Sequence, residues 1–278
     1  MPEMPEIQAH AERLTDDFGG TVLERFQPLS FTALKTAAPS PEEAAGHPLA
    51  DVGRRGKHLL LRFEPVTFVV HLMQGGRLRP DPKQAARPRG GQARWRFADG
   101  RALLLTEAGT ERRAGVWVVA GDPLTQPPLD ELGPEADALD RTTLGRLLAE
   151  HPMRLHGWLR DQRVVAGLGR RLANEVCHRA KLSPFASTAK LDDGAVDRLH
   201  AAIDECLAES LAVERTRSDM SSSKERPGAV HHRTGEPCPV CGDTVRAVGY
   251  RSYTVNYCPT SQTGGKVLAD NTTSRFLK

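Results

Sequence analysis

The first 120 residues alternate between apolar and polar positions in a pattern that predicts one helix followed by a β-rich domain. Ile7, Ala11 and Leu14 recur at helical spacing within EIQAHAERL. Runs typical of strands then follow, separated by Gly, Pro and charged turns. The predicted strands are TVLERFQ, HLLLRF, VTFVVHL, ARWRFA, ALLLTE and GVWVV. Several short strands at this spacing favour a β-sandwich or barrel.

The pattern changes after residue 122. Residues 123–140 are rich in Pro and acidic residues, which is typical of a linker. Helical spacing then dominates in TLGRLLAEH, MRLHGWLRDQ, RRLANEVCHRA and DDGAVDRLHAAIDECLAESLAV. We therefore predict an α+β protein with a β-sandwich domain at 1–122, a linker at 123–140, a helical domain at 141–228, and a cysteine-containing hairpin with its tail at 229–278.

Charge and hydropathy narrow the class of protein. The chain has 278 residues and a net charge of +3, with a mean hydropathy of −0.44. No apolar run approaches the roughly 18 residues of a membrane span, and no secretory signal opens the chain, so we expect a cytoplasmic protein with no membrane partner. Lys and Arg exceed Asp and Glu within residues 153–181 and 214–278, which suits a polyanion such as nucleic acid. Ordinary solvated faces are the alternative.

Three of the five cysteines form the pattern C-x2-C-x16-C at Cys238, Cys241 and Cys258. In a reducing compartment this spacing favours a zinc site over disulfides. Ser261 stands where a fourth thiolate is expected. Water, Ser261, or a histidine at 231 or 232 can complete the site, and a metal-free hairpin held by packing is the alternative. Cys177 and Cys206 lie in helical patterns and are interpreted as core residues.

The chain starts with MPEMPE. Removal of the initiator methionine would leave Pro2 as a secondary amine, which can attack an electrophilic carbon to form an iminium. Glu3 next to it can shuttle protons. The alternative interpretation is a disordered start that happens to contain proline.

Three basic or glycine-rich turns can face a phosphate or a base. Lys57 follows GRRG at the start of a strand, and HLMQGG and TEAGTERRAG are loops that present Gln74, Arg112 and Arg113. Solvated turns are the alternative.

The segment AGLGRR places Gly169, Arg170 and Arg171 at the start of a helix. The exposed N–H groups of a helix start form an anion site, which these guanidinium groups would reinforce. A plain helical hairpin is the alternative interpretation.

In their order along the chain, these features resemble the bacterial formamidopyrimidine-DNA glycosylase and endonuclease VIII family. LGPEADAL at 132–139, LRDQRVVAGLG at 159–169 and GEPCPVCG at 235–242 extend the resemblance over nearly the whole chain. It implies an N-terminal β-sandwich with an N-terminal helix, a helix–two-turn–helix domain and a zinc-finger hairpin, with DNA between the two lobes. It also implies a monomeric base-excision repair enzyme that binds one zinc and acts on duplex DNA with a damaged base or abasic site.

The resemblance implies a role for each candidate catalytic residue. Pro2 would attack the sugar C1′ of a flipped nucleotide, Glu3 would handle protons, and Lys57 would hold a phosphate. Glu6 and Glu175 would shape the pocket. The iminium would then permit β,δ-elimination, which makes the enzyme both a DNA glycosylase and an abasic-site lyase. The predicted DNA contacts are Gln74, Arg112, Arg113, Gly169, Arg170, Arg171 and Arg251.

The sequence departs from the family pattern at several DNA contacts. Arg170 replaces an Asn. Gln74 stands where a Met fills the gap left by the flipped base, with Met73 one position earlier. Arg112, Arg113 and Ala114 lack the usual aromatic residue.

In the hairpin, Tyr253 replaces a phosphate-binding Arg, for which Arg251 can substitute because it lies on the same strand face. These departures leave the preferred lesion open. They also leave two rival hypotheses: a non-catalytic damaged-DNA-binding protein of the same fold, and a zinc-ribbon RNA-binding protein, which would leave the Pro2-Glu3 start unexplained.

Overall fold

The computed structural model describes residues 1–109, 111–220, 226–250 and 253–268. The chain divides into two compact units. The first contains residues 1–131 and 214–220, and the second contains residues 132–213 and those from 221 onward. Within the described residues, every helix is too short or too polar to cross a lipid bilayer.

The first unit begins with helix α1, Met4–Phe18. Pro5 lies in its first turn, where the missing N–H of proline has no helical partner to lose. The predicted apolar positions Ile7, Ala11 and Leu14 are each about fully buried, at 0%, 1% and 1% exposure. The helical spacing in the sequence therefore marks the face that packs on the core.

Two four-stranded antiparallel sheets follow α1, in the orders β1-β6-β7-β5 and β2-β3-β4-β8. Phe26, Phe68 and Trp95 belong to one hydrophobic core, with ring centroids 5.0–5.7 Å apart. This confirms the predicted β-sandwich. The strands are β1 Leu23–Pro28, β2 Leu49–Arg55, β3 His58–Phe63, β4 Val66–His71, β5 Gly76–Pro80, β6 Gly91–Phe97, β7 Ala102–Glu107 and β8 Gly115–Ala120.

The sequence pattern did not predict β2 and β5. A register irregularity between Leu49 and Asp51 interrupts the alternation in β2, so Leu49 and Val52 are its buried positions. In β5, Leu78 is the one buried large apolar side chain, between two arginines. Both strands gain their stability from neighbouring strands, which a local pattern does not reveal.

The second unit contains α2 Arg141–Glu150, α3 Leu155–Trp158, α4 Arg170–Arg179 and most of α5 Asp193–Arg215. The antiparallel strands β9 Arg246–Gly249 and β10 Thr254–Tyr257 and the short helix α6 Pro259–Thr263 form the hairpin region. The helical and hairpin predictions are confirmed, although MRLHGWLRDQ contributes only the four residues of α3. The segment predicted as a linker contains two 3-10 turns, Pro123–Thr125 and Ala136–Ala138.

Candidate active site and nucleic-acid contacts

The start of α1 fixes the candidate catalytic residues through the backbone. The Glu6 carboxylate accepts the Glu3 backbone N–H at 3.0 Å, and the Glu3 side chain faces the N–H of Glu6 in return. This capping box holds both carboxylates, which are 3% and 0% exposed. Pro2 is buried, whereas Met1 is 41% exposed. The structure therefore gives Glu6 the role of positioning Glu3.

Lys57 lies in the two-residue turn between β2 and β3. Gly56 has a φ of 54°, which glycine adopts readily and which allows Arg55 to pair directly with His58. Lys57 is only 7% exposed, so its ammonium group is held at the protein rather than in bulk water. A buried cation of this kind is suited to bind an anion.

His71, at the end of β4, is a candidate site residue that sequence reasoning missed. Burial, followed by the positive charges of Lys57 and of the chain N-terminus, lowers the pKa of His71 to about 4. Its Nδ1 atom accepts the Met73 backbone N–H at 3.0 Å, so the neutral ring carries its proton on Nε2. The Nε2–H group can therefore donate a hydrogen bond close to the amino terminus and Lys57.

A second imidazole lines this region. The His58 ring lies 4.6 Å from the His71 ring, centroid to centroid, and His58 is 8% exposed. Burial, the neighbouring His71 and Lys57 are among the causes that lower the pKa of His58 to about 3. Both rings are therefore neutral near pH 7. The positive charges that act on His71 are those of Lys57 and the amino terminus. The only sequence signal for them was a histidine at each end of the β3–β4 hairpin.

The two candidate base-contacting loops expose different residues. Met73 is half-buried, with a left-handed φ of 51°, while Gln74 is exposed at the loop tip. Arg112 and Arg113 are exposed, and Arg113 forms an ion pair with Glu111 at 3.2 Å. Gln74 is therefore the more exposed of the two side chains, and its contact with DNA stays a prediction.

The start of α4 separates the two predicted guanidinium contacts. Gly169 is the N-cap and makes no side-chain cap, and Arg170 is half-buried. Arg171 is 5% exposed and donates hydrogen bonds to the backbone carbonyls of Arg226 and Pro227. Two hydrogen bonds thus hold the Arg171 guanidinium against the chain near residue 226, and its DNA contact stays a prediction.

Glu175, for which the pocket role stays a prediction, binds the backbone of residues 229–231. Its carboxylate accepts the backbone N–H groups of Ala229, Val230 and His231 at 2.7, 3.2 and 2.8 Å. A carboxylate that accepts three backbone donors satisfies a turn that would otherwise leave N–H groups unpaired. Glu175 therefore anchors the segment that leads into the hairpin.

Asn174, which the sequence pattern did not indicate, also links α4 to the hairpin. Its side chain is fully buried and contacts the His231 ring at 2.8 Å. Its Oδ1 atom accepts the backbone N–H of Asn256 in β10 at 3.3 Å. These bonds join residues far apart in sequence, so no local pattern could have indicated them.

The three hairpin cysteines lie together. The sulfur atoms of Cys238, Cys241 and Cys258 are all within 4.8 Å of one another. The Ser261 hydroxyl donates to the Cys241 sulfur at 3.3 Å and lies 3.8 Å from the Cys238 sulfur. In a tetrahedral zinc site with Zn–S bonds of about 2.3 Å, neighbouring ligand atoms are about 3.5–3.8 Å apart. The three thiols can therefore hold a metal, and the Ser261 oxygen lies beside two of them.

Hydrogen bonds prepare one of these thiols to bind a cation. The Ser261 hydroxyl and the Asp243 backbone N–H lower the pKa of the exposed Cys241 thiol to about 7. The histidine in contact with the cluster is His178, whose Nε2 atom lies 3.2 Å from the Cys238 sulfur. In the described part of the chain, neither His231 nor a carboxylate joins the cysteine group.

Of the remaining sequence predictions, the one for two core cysteines is confirmed and the one for Arg251 stays a prediction. Cys177 and Cys206 are buried, as expected of core residues. Burial raises the pKa of the Cys206 thiol to about 12, so it is protonated at neutral pH. Arg251, predicted as a DNA contact, lies outside the described residues.

Comparisons with known proteins agree with this architecture. Residues 1–117 match the formamidopyrimidine-DNA glycosylase N-terminal domain, and residues 132–222 match the formamidopyrimidine-DNA glycosylase H2TH domain. The formamidopyrimidine-DNA glycosylase of Thermus thermophilus is 35% identical over 95% of this chain and 100% of its own length. An uncharacterized formamidopyrimidine-DNA glycosylase-like protein of Mycobacterium tuberculosis is 42% identical over 53% of this chain and 94% of its own length.

The solved structures give the same answer at the level of the fold. The crystal structure of the MutM (Fpg) protein from Thermus thermophilus superposes with a TM-score of 0.81 at 29% identity, over 96% of this chain and 100% of that one. The matches span both units and include relatives above 30% identity over nearly the full length. The chain therefore belongs to the formamidopyrimidine-DNA glycosylase family.

Proposed function

We propose that the protein is a bifunctional DNA glycosylase and abasic-site lyase that uses the amine of Pro2 as its nucleophile. The observation that carries the proposal is the buried start of α1, where the capping box with Glu6 holds the Glu3 carboxylate directly after the buried Pro2. The buried Lys57 supplies a cation that can bind an anion, and the neutral His71 ring supplies a hydrogen-bond donor. A group with this composition can hold a phosphodiester beside an attacking nitrogen.

Removal of Met1 has two effects in this proposal. It converts the amide nitrogen of Pro2, which has no nucleophilic lone pair, into a secondary amine. It also takes away the residue that precedes the buried proline, and Met1 itself is exposed enough to be reached by a peptidase. The capping box keeps Glu3 beside the new amine after processing.

In the proposed reaction, the Pro2 nitrogen forms a bond to the sugar C1′ as the bond from C1′ to the damaged base breaks. The base leaves with the electron pair and takes up a proton, which the Glu3 carboxyl group can deliver. The amine loses its own proton, the sugar ring opens at C1′–O4′ with O4′ protonated, and the iminium carries the positive charge.

The iminium then acidifies the sugar carbon chain. Loss of a proton from C2′ expels the 3′ phosphate, and a second elimination expels the 5′ phosphate. Water hydrolyses the iminium, releases the sugar fragment as an aldehyde and restores the Pro2 amine. Lys57 would hold a phosphate near the lesion throughout these steps.

The other candidate contacts serve DNA binding in this proposal. The exposed Gln74, Arg112 and Arg113 would enter the duplex beside the flipped nucleotide. Gly169 and Arg170 would hold a phosphate at the start of α4. Arg251 remains a proposed contact, whereas the buried Arg171 supports the loop near residue 226.

Zinc is the proposed metal of the hairpin, with Cys238, Cys241 and Cys258 as thiolate ligands and Ser261 as the fourth, oxygen donor. Its role there would be structural, because four protein ligands would crosslink the chain around the metal and leave no position for substrate. His178 would donate a hydrogen bond to the Cys238 sulfur and so orient that ligand.

Borohydride trapping tests the nucleophile. The processed protein, incubated with duplex DNA that contains one abasic site, should yield a covalent protein–DNA adduct after reduction of the iminium. Pro2→Gly should reduce trapping at least tenfold, and Pro5→Ala, which alters the other proline of the first turn, should not. Intact mass measurement should show that chains retaining Met1 are absent from the adduct.

Two outcomes would contradict the proposal. Trapping of chains that retain Met1 would assign the nucleophile to another amine, such as a lysine. Binding to the same duplex without any trapping or strand cleavage by the processed chain would favour the non-catalytic DNA-binding protein.

A further inference from the structure

The turn of the cysteine hairpin carries two stacked tyrosines. Tyr250 follows β9 and Tyr253 precedes β10, and the Tyr250 N–H donates to the Tyr253 carbonyl at 2.8 Å. Their rings are nearly parallel, with an interplanar angle of 9° and centroids 4.6 Å apart. The two rings form a flat aromatic surface at the end of the hairpin.

Arg160, from the turn after α3, lies on this surface. Its guanidinium carbon is 4.2 Å from the centroid of the Tyr253 ring, which is within cation–π range. The ring of His156, one helical turn earlier, also stacks on Tyr253 at 6.1 Å with an interplanar angle of 12°. Two residues of the helical domain, Arg160 and His156, thus contact Tyr253.

The stacked guanidinium keeps its donors for another partner. In the parts of the chain that the structure describes, Arg160 has neither a carboxylate partner nor a side-chain hydrogen-bond acceptor. A guanidinium that stacks through its face leaves its N–H groups directed outward from its edge, where they match the oxygens of a phosphate. Arg160 is half-buried, so part of the entropy of ordering this long side chain is already lost.

A second guanidinium, that of Arg170, acts on the His156 ring beside Tyr253. Burial, followed by the charge of Arg160, lowers the pKa of His156 to about 3, and Arg170 adds to the effect. His156 is therefore neutral near pH 7 and adds no charge of its own. Arg160, over the Tyr253 ring, and Arg170, at the start of α4, are the cations among the described residues that act on His156.

We propose that Arg160, held over the Tyr253 ring, binds a backbone phosphate of duplex DNA next to the phosphate bound at the start of α4. This inference rests on the proposed function. The ligand is a phosphodiester rather than a base, because the charge and the several N–H donors of a guanidinium match the charge and oxygens of a phosphate. The aromatic pair supplies position, and the guanidinium supplies charge and hydrogen bonds.

The salt dependence of DNA binding by the full-length protein tests the proposal. The probe is a duplex with one tetrahydrofuran abasic-site analogue. Loss of one phosphate contact should make the slope of log K against log salt concentration less steep by about 0.9. When the salt concentration is lowered from 1 M to 0.1 M, the affinity of the variant should therefore rise about eightfold less than that of the parent. Arg160→Ala should show this change. Arg146→Ala is the matched control, because Arg146 is exposed and paired with Glu150 at 2.6 Å, and it should leave the slope unchanged.

A double-mutant cycle separates charge from position. Tyr253→Leu keeps both arginines but removes the stacking surface, so it should weaken binding, and Arg160→Ala should add little in its background. Thermal melting checks that each variant is folded. An Arg160→Ala protein that melts like the parent and keeps the parental slope would overturn the inference while the proposed function stands. Failure of the unaltered protein to bind the duplex would overturn both.

Discussion

The start of α1 and the cysteine hairpin satisfy the family pattern to different degrees. At the start of α1, Pro2 and Glu3 occupy the expected sequence positions and are buried, as is Lys57 in the turn between β2 and β3. In the hairpin, Ser261 stands in place of a fourth cysteine, and Tyr253 stands in place of an arginine. A bond-forming step requires particular atoms at particular distances, whereas a scaffold can be stabilised in more than one way. We infer that the reaction constrains the first region more tightly than DNA binding constrains the second.

The largest expected effect follows from changing Glu3 to Gln. The amide keeps an oxygen that can face the Glu6 backbone N–H, so α1 should remain capped, but it cannot deliver a proton. Excision of a damaged base should fall by about 10²- to 10⁴-fold, the usual contribution of general acid–base catalysis. Single-turnover kinetics on a lesion duplex would measure this loss.

The control for this prediction is Glu24→Gln, because Glu24 is exposed on β1 and should not affect the rate. Trapping on a preformed abasic site should fall less than excision, since no base has to leave. Equal losses for the two substrates would indicate that Glu3 acts on the sugar or on the amine instead.

Glu175→Ala should have the next largest effect, on stability rather than on chemistry. It removes three charge-assisted hydrogen bonds to residues 229–231 and leaves their N–H groups without the carboxylate. We expect the free energy of unfolding to fall by about 3 kcal/mol in urea denaturation. Glu175→Gln, which keeps one acceptor oxygen, should lose about half as much.

An exposed glutamate provides the comparison for Glu175. Glu205 pairs with Arg179 at 3.0 Å, and its side chain is 58% exposed. Glu205→Ala should therefore cost less than about 1 kcal/mol. Similar losses for Glu175→Ala and Glu205→Ala would contradict the anchoring role of Glu175.

Ser261→Cys should have the smallest effect of the three, and in the opposite direction. A fourth thiolate at a position already 3.3 Å from the Cys241 sulfur should tighten zinc binding by at least about tenfold in chelator competition. With cobalt as the probe metal, the thiolate-to-metal absorption should rise in proportion to the number of thiolates. Ser261→Ala is the matched control and should show the parental absorption or less.

A stronger absorption without tighter binding would mean that the hairpin strains to admit the fourth sulfur. An unchanged spectrum for Ser261→Cys would place the Ser261 side chain outside the metal site. Either result would show how far the hairpin tolerates substitution, for comparison with the start of α1, which we expect to tolerate none.

Local sequence patterns predicted the elements that are determined by residues close together in the chain. Helix α1 follows from the spacing of Ile7, Ala11 and Leu14, and the thiol cluster follows from the C-x2-C-x16-C spacing. The β2 strand was missed because a register irregularity hides its alternation. Resemblance to a family, rather than periodicity, was needed to interpret the MPEMPE start.

Contacts between distant residues were beyond local reasoning. The Glu175 carboxylate finds its donors more than 50 residues away, and Arg160 meets Tyr253 only after the helical domain and the hairpin have folded. In both cases the residue type indicated polarity or charge. Whether the residue has a structural or a binding role depends on its partner, which the local sequence does not show. The burial of Arg171 shows the same limit, since its neighbour Arg170 has an identical side chain and a different environment.

Helix α4 acts as a fixed-length spacer. Gly169 caps its first turn, Asn174 and Glu175 hold the hairpin and its preceding segment in the middle, and His178 meets a thiol in the last turn. One additional residue inside this helix would rotate everything beyond it by about 100° and shift it by about 1.5 Å. Insertions and deletions should therefore be tolerated in the loops around α4 long before they are tolerated within its ten residues.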